Sequence, residues 1–205
     1  MRRLIVSNLM SLDGFVAGPE GELDWFVHEG FLTGTEFGQY ARNVINSVDA
    51  ILLGRRTYQE FISYWPTATD NDPVITERMN NLPKIVFSKT LHKVEWGKWN
   101  NARLLSGNAV EEVKTMKELP GRDLVIYGSA QLVSSLMKEG LIDELQLFVQ
   151  PVVLGKGKPE FTNLNERHWL KLTKATPFSS GAVALYYQPM KKTTSTEPSP
   201  LMASE

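Results

Sequence analysis

The sequence predicts an α/β protein with a mostly parallel, mixed sheet and helices on both of its faces. Short apolar runs alternate with stretches of helical periodicity through the first two thirds of the chain. Three of these runs, at residues 50–54, 84–88 and 123–128, end in small or polar residues. After residue 143 the runs become long or alternating, which predicts an antiparallel hairpin at the C-terminal end.

The N-terminal elements follow from local patterns. Residues 4–10 are predicted to form a central strand, because polar residues hardly interrupt its start. A turn at Asp13 and Gly14 then leads into a brief extended stretch. Thr35 is the predicted N-cap of a helix over residues 36–47, which has apolar residues at helical spacing.

The rest of the chain alternates between strands and helices before it ends in the hairpin. Further strands are predicted at 50–54, 84–88, 102–105, 123–127 and 144–154, and the hairpin at 169–174 and 182–188. Helices are predicted from 57 to 65, over 74–81, over 109–118 with Asn108 as N-cap, and from Ser129 to Gly140.

Composition limits the possible classes of protein. We predict one domain over residues 1–190 and a polar, disordered tail over 191–205. A net charge of −1 gives no electrostatic reason to expect nucleic acid or an anionic membrane as a partner. The chain has no cysteine and only three scattered histidines, so we expect no metal site. The N-terminal apolar run is broken by polar residues, so we expect a cytoplasmic protein.

Three strand ends predict a site for a ligand with several phosphates. The candidate residues are Gly54, Arg55, Arg56 and Thr57 after one strand, Ser88 and Lys89 after another, and Gly128, Ser129, Ala130 and Gln131 after a third. The carboxyl ends of parallel strands share one edge of the sheet, where ligands of open α/β sheets bind. Helix N-termini at Thr57 and Ser129 would offer N–H groups to a pyrophosphate. Each glycine taken alone could simply permit a turn, and it is their coincidence at one edge that favours a ligand.

Carboxylates near the first strand are candidates for proton chemistry. Asp13 and Glu36 could protonate a heterocycle if partial burial raised the pKa of either carboxyl. Asp13 could equally form the turn before Gly14, and Glu36 could be a first-turn residue favoured by the helix dipole. Residues 155–158 read as a turn, because they lack the terminal Lys-Ser/Thr of a P-loop. Neither the GxGxxG of a Rossmann site nor the GxSxG of a hydrolase occurs at a strand end.

These motifs resemble the dihydrofolate reductase-like superfamily. The closer likeness is to the branch that contains the C-terminal reductase domain of the bifunctional riboflavin-biosynthesis deaminase-reductase. It spans about residues 2–189 and is carried by residues 11–14, 54–58, 126–129, 143–145 and 151–157. The resemblance implies a three-layer αβα sandwich, NADPH as the hydride donor and a small heterocyclic substrate of the 5-amino-6-(5-phosphoribosylamino)uracil type.

The resemblance also assigns roles to residues. It implies that Arg55, Arg56 and Thr57 hold the adenosine phosphates, that Ser88 and Lys89 lie near the ribose 2′-phosphate, and that residues 128–131 bind the pyrophosphate. The backbones of Leu9 and Val16 would hold the nicotinamide amide, and residues 13–17 would form a loop over it. Trp25 and Glu36 match, by spacing only, the substrate-side tryptophan and carboxylate of dihydrofolate reductases.

Alternatives remain open at this level. Dihydrofolate could be the substrate, or the chain could be a non-catalytic module that binds NADPH. The resemblance also leads us to expect a homodimer in which residues 144–153 pair or pack across a two-fold axis. The same strand could instead be wholly internal.

Overall fold

The computed structural model of the protein describes residues 1–26 and 34–191. The strands are β1 (Leu4–Ser11), β2 (Phe15–Ala17), β3 (Val48–Gly54), β4 (Lys84–Phe87), β5 (Ala102–Leu105), β6 (Asp123–Ile126), β7 (Glu144–Gln150), β8 (Lys158–Pro159), β9 (Leu170–Pro177) and β10 (Val183–Pro189). The helices are α1 (Glu36–Ser47), α2 (Arg55–Tyr64), α3 (Pro73–Asn81), α4 (Ala109–Glu118) and α5 (Ala130–Lys138), and a 3₁₀ turn covers Trp65–Thr67.

Eight strands form one mixed sheet in the order β5-β4-β3-β6-β1-β7-β10-β9. The strands from β5 to β7 in this order are parallel, while β10 runs antiparallel to both β7 and β9. The predicted fold class and the C-terminal hairpin are therefore confirmed. Strands β2 and β8 form a separate antiparallel pair.

Both faces of the sheet are buried, which makes the fold three layers thick. Side chains along β3 alternate between two apolar clusters, because successive residues of a strand point to opposite faces. Ile51 and Leu53 belong to the cluster that α1, α2 and α3 cover. Ala50 and Leu52 belong to the cluster that α4 and α5 cover.

Side chains cap three of the helices at their N-termini. Thr35 accepts a hydrogen bond from the N–H of Gly38 at the start of α1 (2.9 Å), as predicted. Asn108 accepts one from the N–H of Val110 at the start of α4 (3.1 Å), also as predicted. Asp72 caps α3, a position that the sequence analysis did not identify.

Several predicted boundaries differ from the structure, and two of them bear on the site and on assembly. Helix α2 begins at Arg55 and not at Thr57, so Thr57 lies within its first turn. Strand β7 ends at Gln150, because Pro151 has no N–H to donate to a ladder. Strand β7 pairs with β1 on one side and β10 on the other, so it cannot pair edge to edge with a second copy.

The predicted tail over 191–205 lies, apart from Lys191, outside the described residues. No helix within residues 1–26 and 34–191 is long and apolar enough to cross a membrane.

Candidate active site

A cavity of about 740 Å³ opens at the carboxyl edge of the parallel strands. Its volume falls within the range typical of small-molecule and cofactor sites. One wall is apolar and comes mainly from α1, through Phe37, Tyr40, Ala41, Val44 and Ile45. The first turns of α2 and α5 also line it, so the cavity joins an apolar region to two helix N-termini.

The N-termini of α2 and α5 differ from those of the other three helices. Their N-cap residues, Gly54 and Ser129, make no side-chain capping hydrogen bond, whereas α1, α3 and α4 are all capped by side chains. The first N–H groups of a helix need partners, and the positive end of its dipole attracts anions. The first residues of both uncapped helices line the cavity, so their N–H groups are available to a phosphate-bearing ligand there.

The two helix starts are packed tightly against each other. A Cβ atom at position 54 would lie 2.3 Å from the Ser129 hydroxyl oxygen, so only glycine fits without a shift. Gly128 has a φ of +89°, and a Cβ there would lie 2.8 Å from Oγ1 of Thr57. The peptide bond between Gly128 and Ser129 is cis. At Gly128 the cavity wall therefore presents backbone and no side chain.

Most of the predicted phosphate-binding residues line the cavity. Among the described residues these are Arg55, Arg56, Thr57, Gly128, Ser129, Ala130 and Gln131. Gly54 lies directly behind them, with its N–H bonded to the Gly128 carbonyl (3.4 Å). Both arginine side chains are exposed, so they are free to turn toward an anion.

Ser88 and Lys89 do not line the cavity. The Ser88 hydroxyl accepts hydrogen bonds from the N–H groups of Thr90 and Leu91, and Lys89 is exposed. Strands β3 and β4 pair with Gly54 opposite Phe87, so Arg55 and Ser88 leave the sheet side by side. This register places the start of the loop after β4 beside the first residue of α2.

Leu9 and Val16, the residues assigned to the nicotinamide amide, both line the cavity. Leu9 lies near the end of β1 and Val16 in β2, so the turn at Asp13 and Gly14 brings them to the same end of the cavity. At this end Ser7 hydrogen-bonds to Tyr40 of α1 (3.2 Å), which ties the apolar wall to the sheet.

The structure does not bring Asp13 or Glu36 into the lining of the cavity. Asp13 accepts hydrogen bonds from the Ser11 hydroxyl and from the N–H groups of Leu154 and Gly155. Desolvation acts to raise the pKa of Asp13, but these hydrogen bonds bring it below its ordinary value. The carboxylate fastens the β1–β2 turn to the loop that follows β7, which is the turn-forming role left open by the sequence.

Glu36 has a similar structural role. Its carboxylate accepts hydrogen bonds from the hydroxyl and the N–H of Ser179 (both 2.6 Å), and these bonds lower its pKa. It thereby joins the start of α1 to the β9–β10 turn. Trp25 also lies outside the lining, and its indole N–H donates to the Glu22 carbonyl (3.2 Å).

Two carboxylates that the sequence analysis did not identify line the cavity: Glu60 of α2, which is exposed, and Glu160. Glu160 is fully buried, and Nδ2 of Asn8 donates to both of its carboxylate oxygens (2.8 and 2.9 Å). Burial raises the pKa of Glu160 to about 7, although the hydrogen bonds from Asn8 act in the opposite direction. In the sequence Glu160 is only a lone glutamate after Pro159. Its burial could not be predicted there, because its partner Asn8 lies 152 residues away along the chain.

The comparisons with known proteins agree with this architecture. Residues 2–184 match the model of the RibD C-terminal domain, so the chain belongs to that family. The chain is 35% identical over 188 residues to the uncharacterized protein YyaP of Bacillus subtilis (strain 168), covering 91% of this chain and 94% of YyaP.

Two solved structures show the same fold. One is a protein from Shewanella sp. PV-4 that was assigned provisionally to riboflavin biosynthesis. Its TM-score is 0.75 at 24% identity, and the match covers 92% of this chain and 99% of that one. The other is dihydrofolate reductase from Enterococcus faecalis, solved in complex with NADP(H) and RAB-propyl. Its TM-score is 0.60 at 14% identity, and the match covers 92% of this chain and 97% of that one. The dihydrofolate reductase-like fold expected from the sequence is therefore confirmed.

Proposed function

We propose that this protein is an NADPH-dependent reductase that reduces a C=N or C=O bond in a small heterocycle of the 5-amino-6-(5-phosphoribosylamino)uracil type. The observation that carries the proposal is the pair of uncapped helix N-termini at one side of an apolar cavity. Membership of the RibD C-terminal domain family supports it independently.

The cavity suits NADPH in its distribution of charge. Arg55, Arg56 and Thr57, with residues 128–131, would hold the phosphates, because N–H groups, hydroxyls and guanidinium groups all donate to phosphate oxygens. Gly54 and Gly128 keep the wall free of Cβ atoms where the diphosphate would approach. Lys89, in the loop after β4, would reach a ribose 2′-phosphate.

The other end of the cavity would orient the reacting groups. The backbones of Leu9 and Val16 would hold the nicotinamide amide, and the apolar residues of α1 would exclude water from the substrate side. When bound, NADPH supplies the hydride, and the protein supplies orientation and electrostatics. Trp25 stays a candidate for contact with the substrate at the mouth of the cavity.

The test is a binding titration with NADPH followed by a turnover assay. NADPH should bind, and its absorbance should decay on addition of 5-amino-6-(5-phosphoribosylamino)uracil. Decay with dihydrofolate instead would identify the protein as a dihydrofolate reductase, which its fold also permits. Tight NADPH binding without turnover of either compound would identify a non-catalytic module and overturn the proposal.

A further inference from the structure

Glu160 has no role in the function proposed above, yet it is the most unusual carboxylate in the described part of the chain. It lines the cavity, none of its surface reaches solvent, and it accepts two hydrogen bonds from Asn8. A buried charge is costly unless it is paired, and Asn8 is a neutral partner. A structural carboxylate in this position would be expected to face a cation.

The backbone places Glu160 at the end of the cavity where reduction would occur. Strand β8 pairs with β2, with Phe15 opposite Pro159, and the N–H of Glu160 donates to the Gly14 carbonyl (3.0 Å). Asn8 and Leu9 are neighbours on β1 and both line the cavity, although their side chains point to opposite faces of the sheet. Glu160 therefore lies beside the segment of β1 whose Leu9 backbone is assigned to the nicotinamide amide.

No charged side chain in the described regions hydrogen-bonds to Glu160. The other charged residues that line the cavity are Arg55, Arg56 and Glu60 of α2 and Lys158 of β8. The Lys158 ammonium group lies beside Gly21. Asp13 lies on the turn that packs against β8, and its carboxylate accepts hydrogen bonds from N–H groups of the loop after β7. The protonation of Glu160 is thus governed by burial and by Asn8.

We propose that Glu160 donates the proton that accompanies hydride transfer, and that Asn8 is its positioning residue. This inference rests on the proposed function. The carbon of the substrate C=N bond accepts the hydride, the π electrons move to the nitrogen, and the nitrogen takes the proton of the Glu160 carboxyl. The carboxylate that remains is stabilised by the two hydrogen bonds from Asn8, and it regains a proton from water that enters the cavity after product leaves.

This role fits the environment of Glu160 better than that of Asp13 or Glu36. Burial raises the pKa of Glu160 to about 7, so the carboxyl is protonated in a useful fraction of molecules near neutral pH. Hydrogen bonds lower the pKa of Asp13 and Glu36, so those two groups are ionised under the same conditions.

The first experiment compares wild type, Glu160→Gln and the control Glu118→Gln, an exposed carboxylate of α4 outside the cavity. Single-turnover rates with NADPH and 5-amino-6-(5-phosphoribosylamino)uracil should fall in the wild type as the pH rises through about 7. Glu160→Gln should be slower by about 10²- to 10⁴-fold and lose this pH dependence. Its Kd for NADPH and the behaviour of Glu118→Gln should stay within about twofold of wild type.

The second experiment does not depend on turnover. Carbon-13 NMR of protein labelled at glutamate carboxyl groups should show one carboxyl that titrates near pH 7 and is missing from Glu160→Gln. Asn8→Ala should move this titration to higher pH, because it removes hydrogen bonds that favour the charged form. If the protein reduces the pyrimidine, the pH profile of the single-turnover rate should shift to higher pH in Asn8→Ala as well.

Two results would overturn the inference. One is a Glu160→Gln enzyme with the rate and pH profile of wild type. The other is a Glu160 carboxyl that titrates near the ordinary value of about 4.3 in the NADPH complex, whether or not the pyrimidine is reduced. Failure of the wild type to bind NADPH would instead contradict the proposed function itself.

Discussion

The hydroxyl oxygen of Ser129 would lie 2.3 Å from a Cβ atom on Gly54, so the ends of β3 and β6 can meet only if residue 54 is glycine. This contact sets the separation between the starts of α2 and α5. Both helices present uncapped N–H groups to the cavity, and in the proposed function a diphosphate binds between them.

Gly54→Ala should therefore weaken NADPH binding by about tenfold or more and cost about 1–3 kcal/mol of stability through overpacking. Gly107→Ala is the matched control, because the nearest atom to a Cβ there is 3.7 Å away, an ordinary contact. The double variant Gly54→Ala/Ser129→Gly should recover part of both losses, since it removes the clashing side chain. Equal effects at positions 54 and 107, measured by fluorescence titration and urea unfolding, would contradict the close packing.

We propose that Arg56, besides holding the adenosine phosphates, shares the ribose 2′-phosphate with Lys89, so the choice between NADPH and NADH should depend on both residues. Replacing either residue by Ala should raise the Kd for NADPH by about 10- to 100-fold, because a charge-assisted hydrogen bond contributes about 1.5–3 kcal/mol. The Kd for NADH should change much less, since NADH lacks the 2′-phosphate. Arg103→Ala, an exposed arginine of β5 outside the cavity, serves as the control. Equal losses for the two cofactors would refute the assignment of these residues to the 2′-phosphate.

The strand ends were predictable from the sequence because they depend on local patterns and one topological rule. Apolar runs closed by Gly54 and Gly128 identify strands, and parallel strands bring their carboxyl ends to one edge. The proposed proton donor, Glu160, was not predictable in the same way. Asp13 and Glu36 stood out by their position in the chain, whereas their hydrogen bonds to residues 154, 155 and 179 arise only in the folded protein.

Glu160 is a second residue whose environment arises only in the folded protein. Its burial requires β8 to fold back onto β2 and Asn8 to point from β1 toward it. The sequence between Gly155 and Lys158 was read correctly as unlike a P-loop, but nothing local indicates that the next glutamate becomes buried. Burial of a polar group is a property of tertiary packing, so it leaves little periodic signal in the chain.

Asp72 should stabilise the protein through both a cap and an ion pair. It accepts hydrogen bonds from the N–H groups of Val74 and Ile75 at the start of α3 (2.9 and 3.3 Å), and it pairs with Arg42 of α1. Asp72→Ala should cost more than Asn108→Ala, which removes a cap alone and should cost about 1 kcal/mol. Asp72→Asn should fall between wild type and Asp72→Ala. Equal losses for the two alanine variants in urea unfolding would show that the pair with Arg42 contributes nothing.

The stabilisation that Asp72 contributes should decrease as the pH falls. Burial acts to raise the pKa of Asp72, but Arg42 and the N–H groups of α3 lower it below its ordinary value. The stabilisation is therefore complete above the unfolded pKa of about 3.9 and is lost as the pH falls through the lower, folded pKa. The difference in unfolding free energy between wild type and Asp72→Asn should shrink on acidification, and a constant difference would contradict the shifted pKa.

Lys84 should make the protein more stable at alkaline pH. Its side chain is fully buried, and this burial lowers the pKa of Lys84 to about 7. The Nζ atom donates a hydrogen bond to the Asn80 carbonyl (2.6 Å) and lies 4.2 Å from the centroid of the Trp96 ring. Since an unfolded lysine has a pKa of about 10.4, the unfolded chain binds more protons between these values.

The free energy of unfolding should therefore rise with pH across this window, by up to about 1.4 kcal/mol per pH unit from this group. Lys84→Met keeps the length of the side chain without the charge, so its curve should lack this contribution, while other titrating groups cancel in the comparison. Urea unfolding of the two proteins at several pH values from 7 to about 10 measures the difference. Parallel curves would mean that Lys84 is protonated to the same extent in the folded and unfolded states, and that its pairing with Asn80 and Trp96 compensates fully for burial.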